Sequence, residues 1–211
     1  CCLGAGGAAC PCPGELACCL GAGGGAATET CKGLVKWGEN KCLDVYEGLD
    51  SNGNKIQLWG CDADLPGGEN AHRVFEVPQS GAGQVKWAHS PGKCLHVPEG
   101  AEGDTADNYD GGQIELWDCA DGPSDSKWKH QQFAVESNPG HIKWAGWAGT
   151  PEKCLDVHLG VATDGNKIQS WDCVPDEVSQ GFRIAGSPDG ERQCATWSPA
   201  DPAATTPPPT T

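Results

Sequence analysis

Three sets of side chains recur along the 211 residues: Asp44, Gln57 and Trp59; His96, Glu115 and Trp117; Asp156, Gln169 and Trp171. In the first and third, the amide follows the carboxylate by thirteen residues and the indole by two more. A carboxylate accepts protons from adjacent hydroxyl groups, and an indole face covers the C–H side of a sugar ring. A single such group could equally be a Trp packed beneath a loop, beside an Asp that serves a turn. Its threefold recurrence favours a hydroxyl-rich ligand.

The elements that must hold these groups are short strands. Each copy opens on a strand ending in Trp, at Leu34–Trp37, Gln84–Trp87 and His141–Trp144. A second strand follows at Lys41–Val45, Lys93–Val97 and Lys153–Val157. After a turn rich in Gly, Asn and Asp comes a third, at Ile56–Trp59, Ile114–Trp117 and Ile168–Trp171. A Cys stands two residues beyond each of those Trp residues, and a fourth strand carries Phe75, Phe133 or Phe182. No segment sustains a helical period. One such strand set cannot bury its own apolar face, so three copies must close around a shared core. The fold class expected is all-β, a β-trefoil of three four-stranded repeats over about 31–80, 81–138 and 139–197.

Side chains alternate across a strand, so Leu43, Val45, Ile56 and Leu58 face the core. Cys42, Asp44, Gln57, Trp59 and Cys61 then share an outer layer. That placement predicts disulfides Cys42–Cys61, Cys94–Cys119 and Cys154–Cys173, each contributing roughly 3 kcal/mol in the chain-entropy view. Cys31 and Cys194 bracket the repeats, and the ends of a trefoil adjoin, which predicts a fourth bridge between them. An outer Asp156 is expected to be removable with little effect on stability.

The composition sets limits on function. Aliphatic residues are sparse and the net charge is −15, a balance usual for disordered chains. Nine Trp and 14 Cys offset it, by aromatic burial and cross-linking. So large an acidic excess argues against nucleic acid and anionic membranes, and no apolar run is long enough for a membrane span. The cysteine density points to an oxidising compartment, hence a secreted or extracellular protein. Residues 1–30 read as a Cys/Gly/Ala-rich, disulfide-held appendage, with Cys10 and Cys12 in disulfides rather than a zinc or redox site. Residues 198–211 read as a Pro/Thr-rich tail or linker. Asp50–Asn54 resembles the start of a calcium loop, but Lys55 and Cys61 stand where that loop needs Gly and Glu, so a turn is expected. No metal or cofactor is expected. No nucleophile, base and oxyanion set is recognisable, so the chain is not read as an enzyme.

The motifs Lys-Cys-Leu-Asp-Val, Asn-Gly-Asn-Lys-Ile-Gln-x-Trp-x-Cys and a closing Gln-x-Phe resemble the ricin B-chain type lectin domain, also called a family 13 carbohydrate-binding module. The resemblance covers about residues 31–197. It implies a β-trefoil with up to three shallow, metal-independent pockets for galactose-like or xylan-like sugars on glycoproteins or polysaccharide. The third copy fits best, with Asp156, Gln169, Trp171, Ser179 and Gln180. The first offers Asp44, Gln57 and Trp59, with His72 and Arg73 in place of the usual Asn and Gln. The second departs most: His96 replaces Asp and Glu115 replaces the amide, while Trp117, His130 and Gln131 remain, so its pocket is expected to be weak or lost. Two other readings stand beside the lectin. One is an assembly subunit whose trefoil contacts other subunits; the other is the sugar-targeting module of a larger secreted enzyme.

Overall fold

A computed structural model describes residues 30–61, 69–98 and 109–186. The proposed appendage, apart from Thr30, and the proposed tail lie outside the described residues. The first repeat holds β1 (Thr30–Trp37), β2 (Lys41–Val45), β3 (Asn54–Gly60) and β4 (Val74–Pro78). The second holds β5 (Ala82–Gly83), β6 (Lys86–Trp87), β7 (Lys93–His96), β8 (Gly112–Gln113), β9 (Glu115–Asp118) and β10 (Phe133–Val135). The third holds β11 (Ile142–Trp144), β12 (Lys153–Val157), β13 (Asn166–Asp172) and β14 (Phe182–Gly186). Helical geometry among the described residues is confined to short 3-10 turns. The molecule is all-β with the expected trefoil repeats.

The observed strands differ from the expected ones in several places; the opening strand of the second repeat, for one, is formed only at Lys86–Trp87. β1 is longer, because Thr30–Leu34 pairs with β4 while Gly33–Trp37 also pairs with β14. First and last strands therefore adjoin, as expected of a trefoil. In the second repeat the third strand is split into β8 and β9 around Ile114. Here Gln113 turns its side chain inward, and Nε2 lies 2.7, 2.8 and 3.1 Å from the carbonyl oxygens of Ile56, Ile114 and Ile168. One amide thus serves equivalent carbonyls from all three repeats, at a position where the other repeats carry Lys55 and Lys167.

The core repeats with the sequence. Trp37, Trp87 and Trp144 are buried with Leu43, Leu95 and Leu155, with Ile56, Ile114 and Ile168, and with Phe75, Phe133 and Phe182. Full burial of such a side chain contributes about 1.5–3 kcal/mol. A buried indole N–H must still find an acceptor. Trp37 donates to the Val178 carbonyl (2.8 Å), Trp87 to Ala71 (2.6 Å) and Trp144 to Lys129 (2.6 Å). Each acceptor belongs to the preceding repeat, counted around the ring.

Strand-leading lysines follow the same direction. Lys41 reaches Asp164, Lys93 reaches Asn52, and the buried Lys153 reaches Asp110 at 2.6 Å. The disulfides Cys42–Cys61, Cys94–Cys119 and Cys154–Cys173 are present, with Cα separations of 5.2, 5.0 and 5.1 Å. Cys31 is itself disulfide-bonded; Cys194, its expected partner, lies outside the described residues.

Candidate functional site

Antiparallel pairing of β12 and β13 sets Asp156 directly opposite Gln169. Gln169 Nε2 donates to Asp156 Oδ1 at 2.8 Å, and Ser179 Oγ donates to Oδ2 at 2.7 Å. His158 Nδ1 lies 3.1 Å from Gln169 Oε1, an atom that only accepts, so the proton of this pair sits on the imidazole. Carboxylate, amide and hydroxyl are thereby held in one orientation. Trp171, two residues beyond Gln169, is 42% exposed. Together these groups line a pocket of about 290 Å³, whose rim includes Leu159, Val174 and Glu177.

Gln180 takes a different part. Its Oε1 accepts from the Val174 backbone N–H (2.9 Å) and its Nε2 donates to the Asp172 carbonyl (2.8 Å), so it straps the turn after β13 to the strand. Gln131 does the same in the second repeat, accepting from Ala120 N (2.7 Å) and donating to Asp118 O (2.8 Å). These amides shape the pocket floor by fixing backbone.

The outer layer expected from strand alternation is not uniformly at the surface. Asp156 is 5% exposed and Asp44 only 3%, whereas the Trp side chains beside them are open. The face away from the core is roofed by the 3-10 turns His158–Gly160 and Val178–Gln180, which pack together where Gly160 meets Ser179. Asp156 therefore cannot be removed without consequence. Its loss would leave the buried Gln169 Nε2 unpaired and Ser179 Oγ only Glu177 Oε1 at 3.2 Å, a cost of about 1–3 kcal/mol.

In the first repeat, Gln57 Nε2 again donates to Asp44 Oδ1, at 2.9 Å. The second oxygen is engaged differently, by Arg73 Nε at 3.0 Å in a buried ion pair. The His72 ring lies against Gly48, whose φ is +61°, so that a Cβ there would displace the ring. Tyr46 stands where the third repeat has His158, and Gln57 Oε1 is buried without a hydrogen-bond partner. The triad is assembled, but its carboxylate is neutralised.

In the second repeat, His96 and His130 occupy the places of Asp156 and Ser179, with ring centroids 5.4 Å apart. His96 also lies 5.4 Å from the Trp117 ring and opposite Glu115 in the ladder. Burial, reinforced by His130 and Lys127, lowers His96 from its usual value near 6.5 to about 4. It is neutral at pH 7, and its Nδ1 is buried without a partner. Burial also holds the Glu115 carboxyl above its usual range. His130 stacks instead on Trp144, with centroids 5.5 Å apart, next to Tyr109. This group lacks the amide-held aspartate of the other two.

Each outer Trp is backed by a glycine of the preceding repeat. Gly165, Gly53 and Gly111 adopt φ of +82°, +80° and +76°, a region that favours glycine. A Cβ on them would lie 4.0 Å from Trp59, 3.7 Å from Trp117 and 3.6 Å from Trp171. Their N–H groups donate to Leu58, Leu116 and Ser170 carbonyls at 2.8, 2.9 and 2.8 Å. The Asp50–Asn54 stretch is thus a turn seated on the second repeat. Among the described residues, no three His, Cys, Asp or Glu side chains are grouped so as to hold a metal ion.

Sequence reasoning missed His158, Glu177 and the Arg73–Asp44 pair. His158 directly follows Lys-Cys-Leu-Asp-Val, and its alignment with Tyr46 was the available signal. Glu177 carries no recurring spacing. The partnership of Arg73 depends on a tertiary approach that no local pattern encodes.

Comparison with known proteins places this arrangement. Residues 32–132 and 82–206 match the Ricin-type beta-trefoil lectin domain. An earthworm R-type lectin C-half, solved in complex with GalNAc, is similar at 18% identity and a TM-score of 0.51, over 72% of this chain and 96% of that one. The designed threefold-symmetric protein ThreeFoil is similar at 20% identity and 0.52, with the same coverage. The agglutinin from Abrus precatorius is similar at 16% identity and 0.54, over 77% of this chain and 52% of that one.

Proposed function

Because the chain belongs to the ricin-type β-trefoil lectin family, we propose that it is a glycan-binding module whose main site is the pocket of the third repeat. The observation that carries this reading is the Asp156 carboxylate, held by Gln169 and Ser179 beside the open face of Trp171. Each carboxylate oxygen accepts one internal hydrogen bond and keeps lone pairs for sugar hydroxyls. Gln169, oriented by His158, fixes the direction of those lone pairs, and the indole covers the C–H face of the ring. The module acts by binding rather than by catalysis.

The first repeat is the second site, weakened because Arg73 already shares the Asp44 charge. The second repeat is the poorest, since neutral His96 cannot accept two hydroxyl protons as Asp does. Single shallow pockets of this type bind free sugar at about 0.1–1 mM and gain through multivalency on clustered glycans. Galactose-like or xylan-like sugars on glycoproteins or polysaccharide are the proposed partners, and the GalNAc complex of the similar earthworm lectin favours the former. The domain is taken as residues 31–197, flanked by the appendage and tail. Three disulfides support residence in an oxidising, extracellular setting.

The test is titration of the intact chain with galactose and with xylo-oligosaccharides, read from tryptophan indole resonances. Saturable shifts of the Trp171 signal, abolished in Asp156→Asn and retained in His96→Ala, are expected. Equal damage from both substitutions would refute the assignment of sites. Absence of any glycan binding by the folded chain would favour the assembly reading.

A further inference from the structure

We infer that the third pocket selects pyranosides carrying an apolar aglycone, which Leu159 and Val174 would cover as the sugar sits on Asp156. The inference rests on the third repeat being a sugar site, and it specifies which glycoside that site takes. Seven large apolar side chains are exposed among the described residues, and three of them, Leu159, Trp171 and Val174, line this one pocket. Leu159 is 79% exposed and Val178 75%, far beyond what solvent-facing packing requires. They stand on the two 3-10 turns that roof the carboxylate, and Leu159 and Val174 both line the cavity.

Leu159 is informative because the fold does not ask for it. Its backbone is left-handed, with φ of +56°, a conformation that disfavours a branched apolar side chain and suits Gly or Asn. The equivalent residue of the first repeat adopts φ of +52° and is Glu47. The turn geometry is therefore shared, while the left-handed position is charged in the first repeat and apolar in the third, the repeat with the best pocket. An unfavourable residue kept in water at the mouth of a site indicates a contact made when the site is filled. Glu177 at the rim and the net charge of −15 argue against an anionic group there, so the substituent is neutral.

The experiment compares methyl, butyl and phenyl galactosides on the full chain, by calorimetry or indole resonance shifts. Half-burying three methylenes predicts that butyl galactoside binds about tenfold more tightly than methyl galactoside, with the phenyl glycoside similar. Leu159→Asn, which suits the left-handed backbone and so keeps the fold, is expected to bring the butyl-to-methyl ratio to about two or below. Val174→Thr should lower it in the same direction. Equal affinities for the three glycosides in the wild type would overturn the inference and leave the sugar site standing. Binding of none of them would overturn the site reading and the inference together. An unchanged ratio in Leu159→Asn, or a loss of self-association in that variant in place of the ratio, would also overturn it.

Discussion

At the scale of single residues, the buried carboxylates govern both stability and binding. Asp156→Ala is expected to cost about 1–3 kcal/mol in urea denaturation, through the unpaired Gln169 donor and the weakened hold on Ser179, and to lose sugar binding at the third repeat. Arg73→Ala should cost more, about 3–5 kcal/mol, because it leaves Asp44 as a charge buried without its ion-pair partner. A loss below 1 kcal/mol would mean that water replaces the guanidinium. His96 gives the opposite dependence on pH from a paired histidine. Its folded pKa of about 4 lies below the usual 6.5, so between these values the unfolded chain binds the proton and the folded chain does not. Its contribution is intact above pH 6.5 and falls by about 3 kcal/mol as the pH drops to 4. His96→Gln should flatten that part of the stability profile, measured by denaturation at pH 7 and pH 4.

At the scale of elements, the strands and their faces were legible because period-two alternation and regularly spaced Trp and Cys residues are local signals. Lys41–Val45 and Lys153–Val157 coincide with β2 and β12, and the three in-repeat disulfides follow from the same alternation. The grouping of Asp156, Gln169 and Trp171 was legible too, since strand alternation puts them on one face, while Ser179 followed only from the family resemblance. The roof was not. Whether an outward side chain meets water depends on turns that fold back over the sheet, and 3-10 turns of three or four residues leave little periodic trace. The splitting of β8 from β9 was hidden for a related reason: it follows from Gln113 reaching carbonyls more than fifty residues away. Elements joined by disulfides should also come apart together. Each bridge contributes about 3 kcal/mol against a typical total of about 5–15, so reduction is expected to lower the melting temperature by tens of degrees. Calorimetry with and without reductant checks this, and an unchanged transition would show that the aromatic core suffices.

At the scale of the whole molecule, three kinds of contact run the same way around the ring. Indole N–H groups, strand-leading lysines and outer Trp faces all lean on the preceding repeat. Such a ring divides labour among copies that look redundant. The second repeat has lost the carboxylate and amide of its own triad, yet it lends the third Gly111 beneath Trp171, Asp110 for Lys153 and the Lys129 carbonyl for Trp144. Its sequence is thus released at one address and held at another. Substitutions at His96 concern the pocket of its own repeat, whereas changes at Asp110 or Gly111 would be felt in a neighbour's pocket. A repeat whose own pocket is the weakest by this reading still serves as masonry for the next one.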